Sequence, residues 1–288
     1  MNISRNRVKE LVTAALKEDI WKGDVTTEAC AFQKRNAKAK IIVKQRGVIA
    51  GLEIAKAVFE TLDNKINFQF LVKDGTEVKK GDVIAELSGH VTPILAGERT
   101  ALNFLQRLSG IATLTREYVE KVKPYKARIF DTRKTTPGLR DIEKYAVSVG
   151  GGQNHRMGLY DMVLIKDNHL KIANGNIEEL VQTIRRKVPK NIKIEIEAEN
   201  LSQFREALQS KVDIIMLDNM DIQTIKKAVS LINNSKFKIK NLPEIEVSGD
   251  VTLDNVEKIA KCGVDRISVG KLTHSAKSMD ISLRILNS

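Results

Sequence analysis

Thirteen positions capable of chemistry share one sequence context. Arg133, Lys134, Lys166, Asp167, Asn168, His169, Glu197, Glu199, Asp218, Asn219, Ser248, Gly249 and Gly270 each lie at the end of a short apolar run or just beyond it. The runs and their ends read ARIF-DTRK, MVLI-KDNH, IEIEAEN, DIIML-DNM, IEV-SGD and RISV-GK. A strand of a parallel barrel has this form. Its body is buried on both faces, so it is rich in Ile and Val and alternates poorly. Its C-terminal end opens on the face where barrel enzymes carry their chemistry. The set mixes cations with carboxylates, which suits an anionic substrate beside a metal-bound phosphate.

The densest cluster is DTRKTTPGLR (131–140), followed by GGGQNHRMGLYD (150–161). Arg133 and Lys134 close a strand, Arg140 follows a Pro-Gly turn, and Gly150, Gly151 and Gly152 lead into His155 and Arg156. An arginine fork can grip a carboxylate with two hydrogen bonds, whereas lysine acts as a point charge. For any one of these residues a surface salt bridge is the simpler account. Several cations beside a triple glycine and a strand end favour an anion site. Glu197 and Asp218 end successive strands and suit sugar hydroxyls, Mg²⁺ held directly or through water, and positive charge growing on a ribose carbon. Helix capping or pairing with local lysines is the alternative for Glu197 and Asp218, and Glu195 and Glu199 compete for the same role. SGD (248–250) and VGK (269–271) are small-residue turns after the last two strands, where barrels often cradle a phosphate. No His/Cys set has zinc spacing.

Something must position these residues. Before residue 100 the texture is different: 39–46, 66–72 and 83–91 read as strands with partial alternation, and 51–62 as a helix. VKDGTEVKKGDVIAEL reads as a glycine-turned hairpin. Residues 98–122 form a long helical pattern, with Ser109-Gly110 a candidate break. Helical stretches then follow at 141–148, 176–187, 201–209, 221–232, 252–261 and 275–286, alternating with the runs above. Alternating strand and helix implies an α/β barrel or a doubly wound sheet. No GxGxxG opens a helix after a strand, and candidate residues spread over several strand ends favour the barrel.

The 288 residues suffice for two domains. No apolar run approaches the roughly 20 residues that cross a bilayer. Residues 1–20 pattern as an amphipathic helix through Val8, Leu11, Val12, Ala15 and Leu16, not as a signal peptide. Cys30 and Cys262 form no disulfide framework, which points to a reducing, cytoplasmic setting. The net charge of +12 fits either a nucleic-acid surface or a site that attracts anions. Aromatics make up only 5% and do not interleave with the basic residues, so nucleic acid is the weaker reading.

ERTALNFLQRLSGIATLT, DTRKTTPGLR, GGGQNHRMGLYD, VLIKDNH, EIEAEN, LDN, VSGD and SVGKLTHS, in that order, resemble the quinolinate phosphoribosyltransferase family over nearly the whole chain. EDIWKGDVTT resembles that family's EDIGxGDxTT. The resemblance implies an N-terminal α+β open-faced sandwich (1–110, joined by 275–288) and an incomplete parallel α/β barrel (111–274). It also implies a homodimer in which Arg99 enters the partner's site. The implied reaction joins quinolinate and phosphoribosyl pyrophosphate with Mg²⁺ present, giving nicotinate mononucleotide, pyrophosphate and CO₂. Carried over by motif, Lys134, Lys166, Glu197 and Asp218 form the catalytic set. Thr132, Arg133, His155 and Arg156 join them in binding quinolinate and ribose, and Ser248, Gly249, Asp250, Val269, Gly270 and Lys271 line the phosphate turns. The chain departs from the family pattern at Trp21, Ser148, Asp250 and Lys271.

Two other classes compete with this reading. A Schiff-base lyase would use Lys166 or Lys134 as nucleophile. Lysines set among arginines suit anion binding better. A related molybdenum-transport-associated protein shares the fold, but TRKTTPGLR and NHR match the quinolinate motifs.

Overall fold

The computed structural model describes residues 3–30, 35–174, 176–233 and 242–286. The chain divides into two compact units. One comprises Met1–Arg116, Thr136–Gly151 and Ser275–Ser288, the other Glu117–Thr135 and Gly152–His274. Residues 136–151 therefore cluster with the first unit and not with the strands on either side of them.

The first unit begins with α1 (Arg5–Ile20) and α2 (Val25–Ala29), capped by Ser4 and Asp24. It continues with β1 (Asn36–Val43), β2 (Gly47–Val48), α3 (Leu52–Leu62), β3 (Asn67–Phe70), β4 (Glu77–Val78), β5 (Val83–His90) and most of α4 (Val91–Val122). An antiparallel sheet runs in the order β12-β1-β5-β3, where β12 is Ile281–Leu286. Helix α3 buries Ile54, Ala55, Val58 and Phe59, and Phe59 meets Phe68 of β3 at 5.9 Å between ring centroids.

Three expectations for this unit are corrected. Residues 275–286 are not helical, because β12 pairs antiparallel with β1 from Ile281↔Val43 to Leu286↔Lys38. Ile281 and Leu283 face the core at period 2, which a helix could not bury together. The 72–87 segment is not a hairpin. Gly75 and Gly81, both at positive φ, turn the chain so that β4 pairs with β2 while β5 pairs with β1 and β3. Ser109-Gly110 does not break α4. Ser109 Oγ accepts the Ala50 N–H at 3.0 Å, and a Cβ at Gly110 would lie 2.1 Å from the Lys277 carbonyl oxygen, so the glycine serves close packing. Helix α5 (Arg140–Val149) completes the unit. Its buried Glu143 takes Arg107 Nη2 at 2.7 Å and the Thr136 backbone N–H at 3.1 Å, tying down the TTPG turn.

The second unit holds β6 (Arg128–Phe130), β7 (Val163–Ile165), α6 (Asp167–Ile172), α7 (Ile177–Lys187), β8 (Ile194–Ala198), α8 (Leu201–Gln209), β9 (Ile214–Asp218), α9 (Ile222–Asn233), β10 (Glu244–Ser248), α10 (Val256–Ala260), β11 (Arg266–Ser268) and α11 (Lys271–His274). Its parallel sheet runs β6-β11-β10-β9-β8-β7. From β7 to β11 strands consecutive in the chain are neighbours, and β11 returns to β6, which is barrel order. The ladder is open between β6 and β7. There Gln153 bridges to Phe130 along the free edge of β6.

The strand faces explain the sequence pattern. On β8, Ile194, Ile196 and Ala198 are buried on one face, against which α8 packs, while Glu195 and Glu197 occupy the other. The expectation of poor alternation fails here and on β10, because the barrel interior is polar where it forms the site. Among the described residues no helix is long and apolar enough to cross a membrane.

Candidate active site

The C-terminal ends of the second unit's strands surround a cavity of about 790 Å³. Thr132, Arg133, Lys134, His155, Arg156, Lys166, Glu197, Asp218, Ser248, Gly249, Asp250, Val269, Gly270 and Lys271 all line it. Asp167 and Asn219 line it as well. Asn168, His169 and Glu199 are exposed and lie outside the lining. Arg140 begins α5 and Arg99 is exposed on α4, both in the first unit. Gly150 also belongs there. A Cβ on it would lie 2.5 Å from the Ala112 carbonyl oxygen, so this glycine serves helix packing.

The cationic wall is set by β6. Asp131, wholly buried at its end, accepts the His155 backbone N–H at 2.9 Å and Asn154 Nδ2 at 2.6 Å. Those bonds carry the 153–156 segment along the open edge and aim Arg156 into the cavity. Arg156 Nη1 donates to the Met162 carbonyl at 3.0 Å. Its pKa is lowered, first by burial and then by the neighbouring charge of Arg133. Two guanidiniums close enough to repel one another make a site that favours an anion.

On the acidic side, Lys166 Nζ lies 2.6 Å from Glu197 Oε1. Burial raises the Glu197 pKa, Lys166 pulls it down, and Asp218 and Asp167 push it up further. Asn219 Nδ2 donates to Asp218 Oδ2 at 3.0 Å.

Two turns close the cavity. Gly249 sits at φ +94, and a Cβ there would fall 2.1 Å from Asn219 Oδ1. Only glycine fits that conformation beside that neighbour. Gly270 lies against Lys134 and His274, and Thr273 Oγ1 donates to the Lys134 carbonyl at 2.7 Å.

This constellation matches known proteins along the whole chain. Residues 24–109 match the family model "Quinolinate phosphoribosyl transferase, N-terminal domain", and residues 111–284 match the corresponding C-terminal domain. The chain belongs to the quinolinate phosphoribosyltransferase family. It is 45% identical to a probable nicotinate-nucleotide pyrophosphorylase [carboxylating] of Synechocystis sp., over 94% of this chain and 90% of the relative. It is 43% identical to a Bacillus subtilis protein of the same name, over 97% and 93%. The crystal structure of NadC from Streptococcus pyogenes superposes with a TM-score of 0.92 at 40% identity, covering 100% of both chains. The chain is thus a phosphoribosyltransferase, an enzyme of the pentosyltransferase class.

Within this family the local departures have structural settings. Asp250 takes φ +44, a region that Asp tolerates better than most residues. Trp21 takes φ +36. Lys271 opens α11 and lines the cavity, and Ser148 lies half-buried on α5.

Sequence reasoning left out three groups of residues. Leu164, Met216, Val251, Ser268 and His274 also line the cavity. Asp131 acts as an orienting group from within the quoted DTRK. The third group lies deeper, where His155 Nε2 is 3.0 Å from Glu195 and 3.4 Å from Glu246, both wholly buried. Glu246 is paired with Arg266 Nε at 2.5 Å and with Ser268. Glu195 was an alternative to Glu197; the strand's period puts both on one face, and depth alone separates them. The donor set His155, Glu195 and Glu246 could bind a metal ion. Arg266 already supplies one cation to it.

Proposed function

We propose that this chain transfers the phosphoribosyl group of phosphoribosyl pyrophosphate to quinolinate, with loss of CO₂, giving nicotinate mononucleotide and pyrophosphate in de novo NAD biosynthesis. One observation carries the reading: Arg133, Arg156 and Lys166, distant in sequence, meet in a cavity that also holds Glu197, Asp218 and two glycine turns. Quinolinate is a dianion. Arg133 and Arg156 hold its carboxylates, with Lys134 and Lys166 beside them, and orient the ring nitrogen toward the ribose carbon. Ser248–Asp250 and Val269–Lys271 receive the phosphates.

The nitrogen lone pair forms the new bond to the ribose carbon as the bond to pyrophosphate breaks. Glu197 and Asp218 stabilise the oxocarbenium-like charge that develops there. The product nitrogen is cationic, so the ring accepts the electron pair released when the adjacent carboxylate leaves as CO₂. A solvent proton then takes its place. No strong base is required.

Mg²⁺ keeps several waters and usually binds through one or two carboxylates plus substrate phosphates. Glu197 and Asp218 are near enough for the charge of one to raise the pKa of the other, behind the larger effect of burial, so the residues fit such an ion. When bound, it would neutralise the departing pyrophosphate. The reading includes a homodimer, with the exposed Arg99 reaching the site of a second copy. It also includes a reducing cytoplasmic setting, which suits the free thiols Cys30 and Cys262.

Purified protein given carboxyl-labelled quinolinate, phosphoribosyl pyrophosphate and Mg²⁺ should release labelled CO₂. Protein that is folded yet releases none, with either substrate in excess, overturns the reading.

A further inference from the structure

Beneath the cavity, one strand-step deeper than Glu197 and Ser248, lie Glu195 on β8 and Glu246 on β10. Neither lines the cavity, and neither touches solvent. Both carboxylates face Nε2 of His155, at 3.0 and 3.4 Å. The other ring nitrogen, Nδ1, accepts the backbone N–H of Arg156 at 2.8 Å. His155 lines the cavity while both of its ring nitrogens face groups of the protein.

We propose that Glu195, assisted by Glu246, is a positioning residue that acts through His155 to fix Arg156 for quinolinate. The inference rests on the function proposed above. Burial lowers the pKa of the ring, and Glu195 and Glu246 carry it up to about 9; the Arg156 N–H facing Nδ1 leaves that nitrogen as the acceptor, so the geometry places the ring's proton on Nε2, opposite the carboxylates. If the carboxylates are removed, the ring is free to turn over. Nδ1 then no longer meets the Arg156 backbone N–H, and Arg156 loses that main-chain anchor while its guanidinium keeps the Met162 carbonyl.

The side chains around the ring fit this arrangement. The groups packed around the ring are Glu195, Glu246 and Arg266, with Asp131 holding the His155 backbone and Arg156 following it. Arg266 pairs with Glu246 and stacks 3.7 Å over the Phe130 ring, leaving Glu195 as the carboxylate without a guanidinium. Nε2 of the imidazole stands opposite it at 3.0 Å.

Two measurements test the proposal. Glu195→Leu keeps the volume and removes the acceptor. It should raise the quinolinate KM about tenfold or more, the scale on which small misplacements act, with the phosphoribosyl pyrophosphate KM unchanged. Glu195→Gln keeps an oxygen facing Nε2–H and should restore the quinolinate KM to within about threefold of the parent. A folded Glu195→Leu enzyme with an unaltered quinolinate KM overturns the proposal, as does an equal rise in both KM values. Should Glu195→Leu not fold, the parent protein still decides the point. Nitrogen NMR, assigned with His155→Asn, should show Nε2 of His155 protonated between about pH 6 and 8. A bare Nε2 in that range overturns the proposal, as does a bound divalent metal that is lost in Glu195→Gln. Failure of the parent enzyme to turn over quinolinate would instead strike the proposed function and leave the ring geometry standing.

Discussion

Lys166 and Glu197 join two neighbouring strand ends by an ion pair of 2.6 Å at the rim of the cavity. Each partner has a separate task in the proposed reaction, so the pair holds both side chains in place before substrate arrives. Replacing Glu197 by Gln removes charge while keeping shape. We expect kcat to fall by roughly a hundredfold, the usual scale for one electrostatic group aimed at a transition state, with a smaller change in quinolinate KM. Steady-state kinetics in both substrates will check this. A loss confined to KM would remove Glu197 from the transition state.

Gly249 cannot accept a side chain without moving Asn219, since a Cβ would stand 2.1 Å from Oδ1 at φ +94. Gly249→Ala should weaken binding of phosphoribosyl pyrophosphate by at least about tenfold, with quinolinate binding less affected, because the strain of about 1–3 kcal/mol falls on the phosphate turn. Calorimetric titration with each ligand separates the two effects.

Trp21 ends α1 at φ +36 and is 74% exposed, so it buries little surface in return for an unfavourable backbone. Trp21→Gly relieves strain of about 1–3 kcal/mol, offset by less than about 1 kcal/mol of added chain entropy. The net gain should raise Tm by about 2–4 °C in calorimetry. A lower Tm would show that the indole contributes more than its exposure suggests.

Glu195 has its pKa raised to about 7 from 4.5, first by burial and then by the charge of Glu246. The folded state therefore holds a proton that the unfolded chain releases. This contribution is full below about pH 4.5 and is lost as pH rises to about 7. Relative to Glu195→Gln, the parent protein should lose stability across that window. Denaturant midpoints at several pH values will show whether the two curves diverge there.

Much of this was legible in the residues, and the failures have physical causes. All six barrel strands announce themselves because apolar runs ending in polar clusters are what a strand opening on a site requires. The lining residues follow from those ends. The C-terminal strand was hidden because its apolar residues, read within 275–286, also satisfy a helical period; only the open edge of β1 decides between them. Glu195 and Glu197 share a face, and sequence period carries no information on depth. Asp131 was visible as a strand end, but its partners Asn154 and His155 depend on how the open seam between β6 and β7 is filled.

The central claim is that guanidiniums from separate segments bind the quinolinate dianion for phosphoribosyl transfer. Its most direct test is the amount of CO₂ and nicotinate mononucleotide formed per quinolinate by the parent protein and by Arg156→Ala, with folding verified in both. The account predicts equal amounts of the two products from the parent and almost none from Arg156→Ala. Undiminished turnover by Arg156→Ala would contradict it.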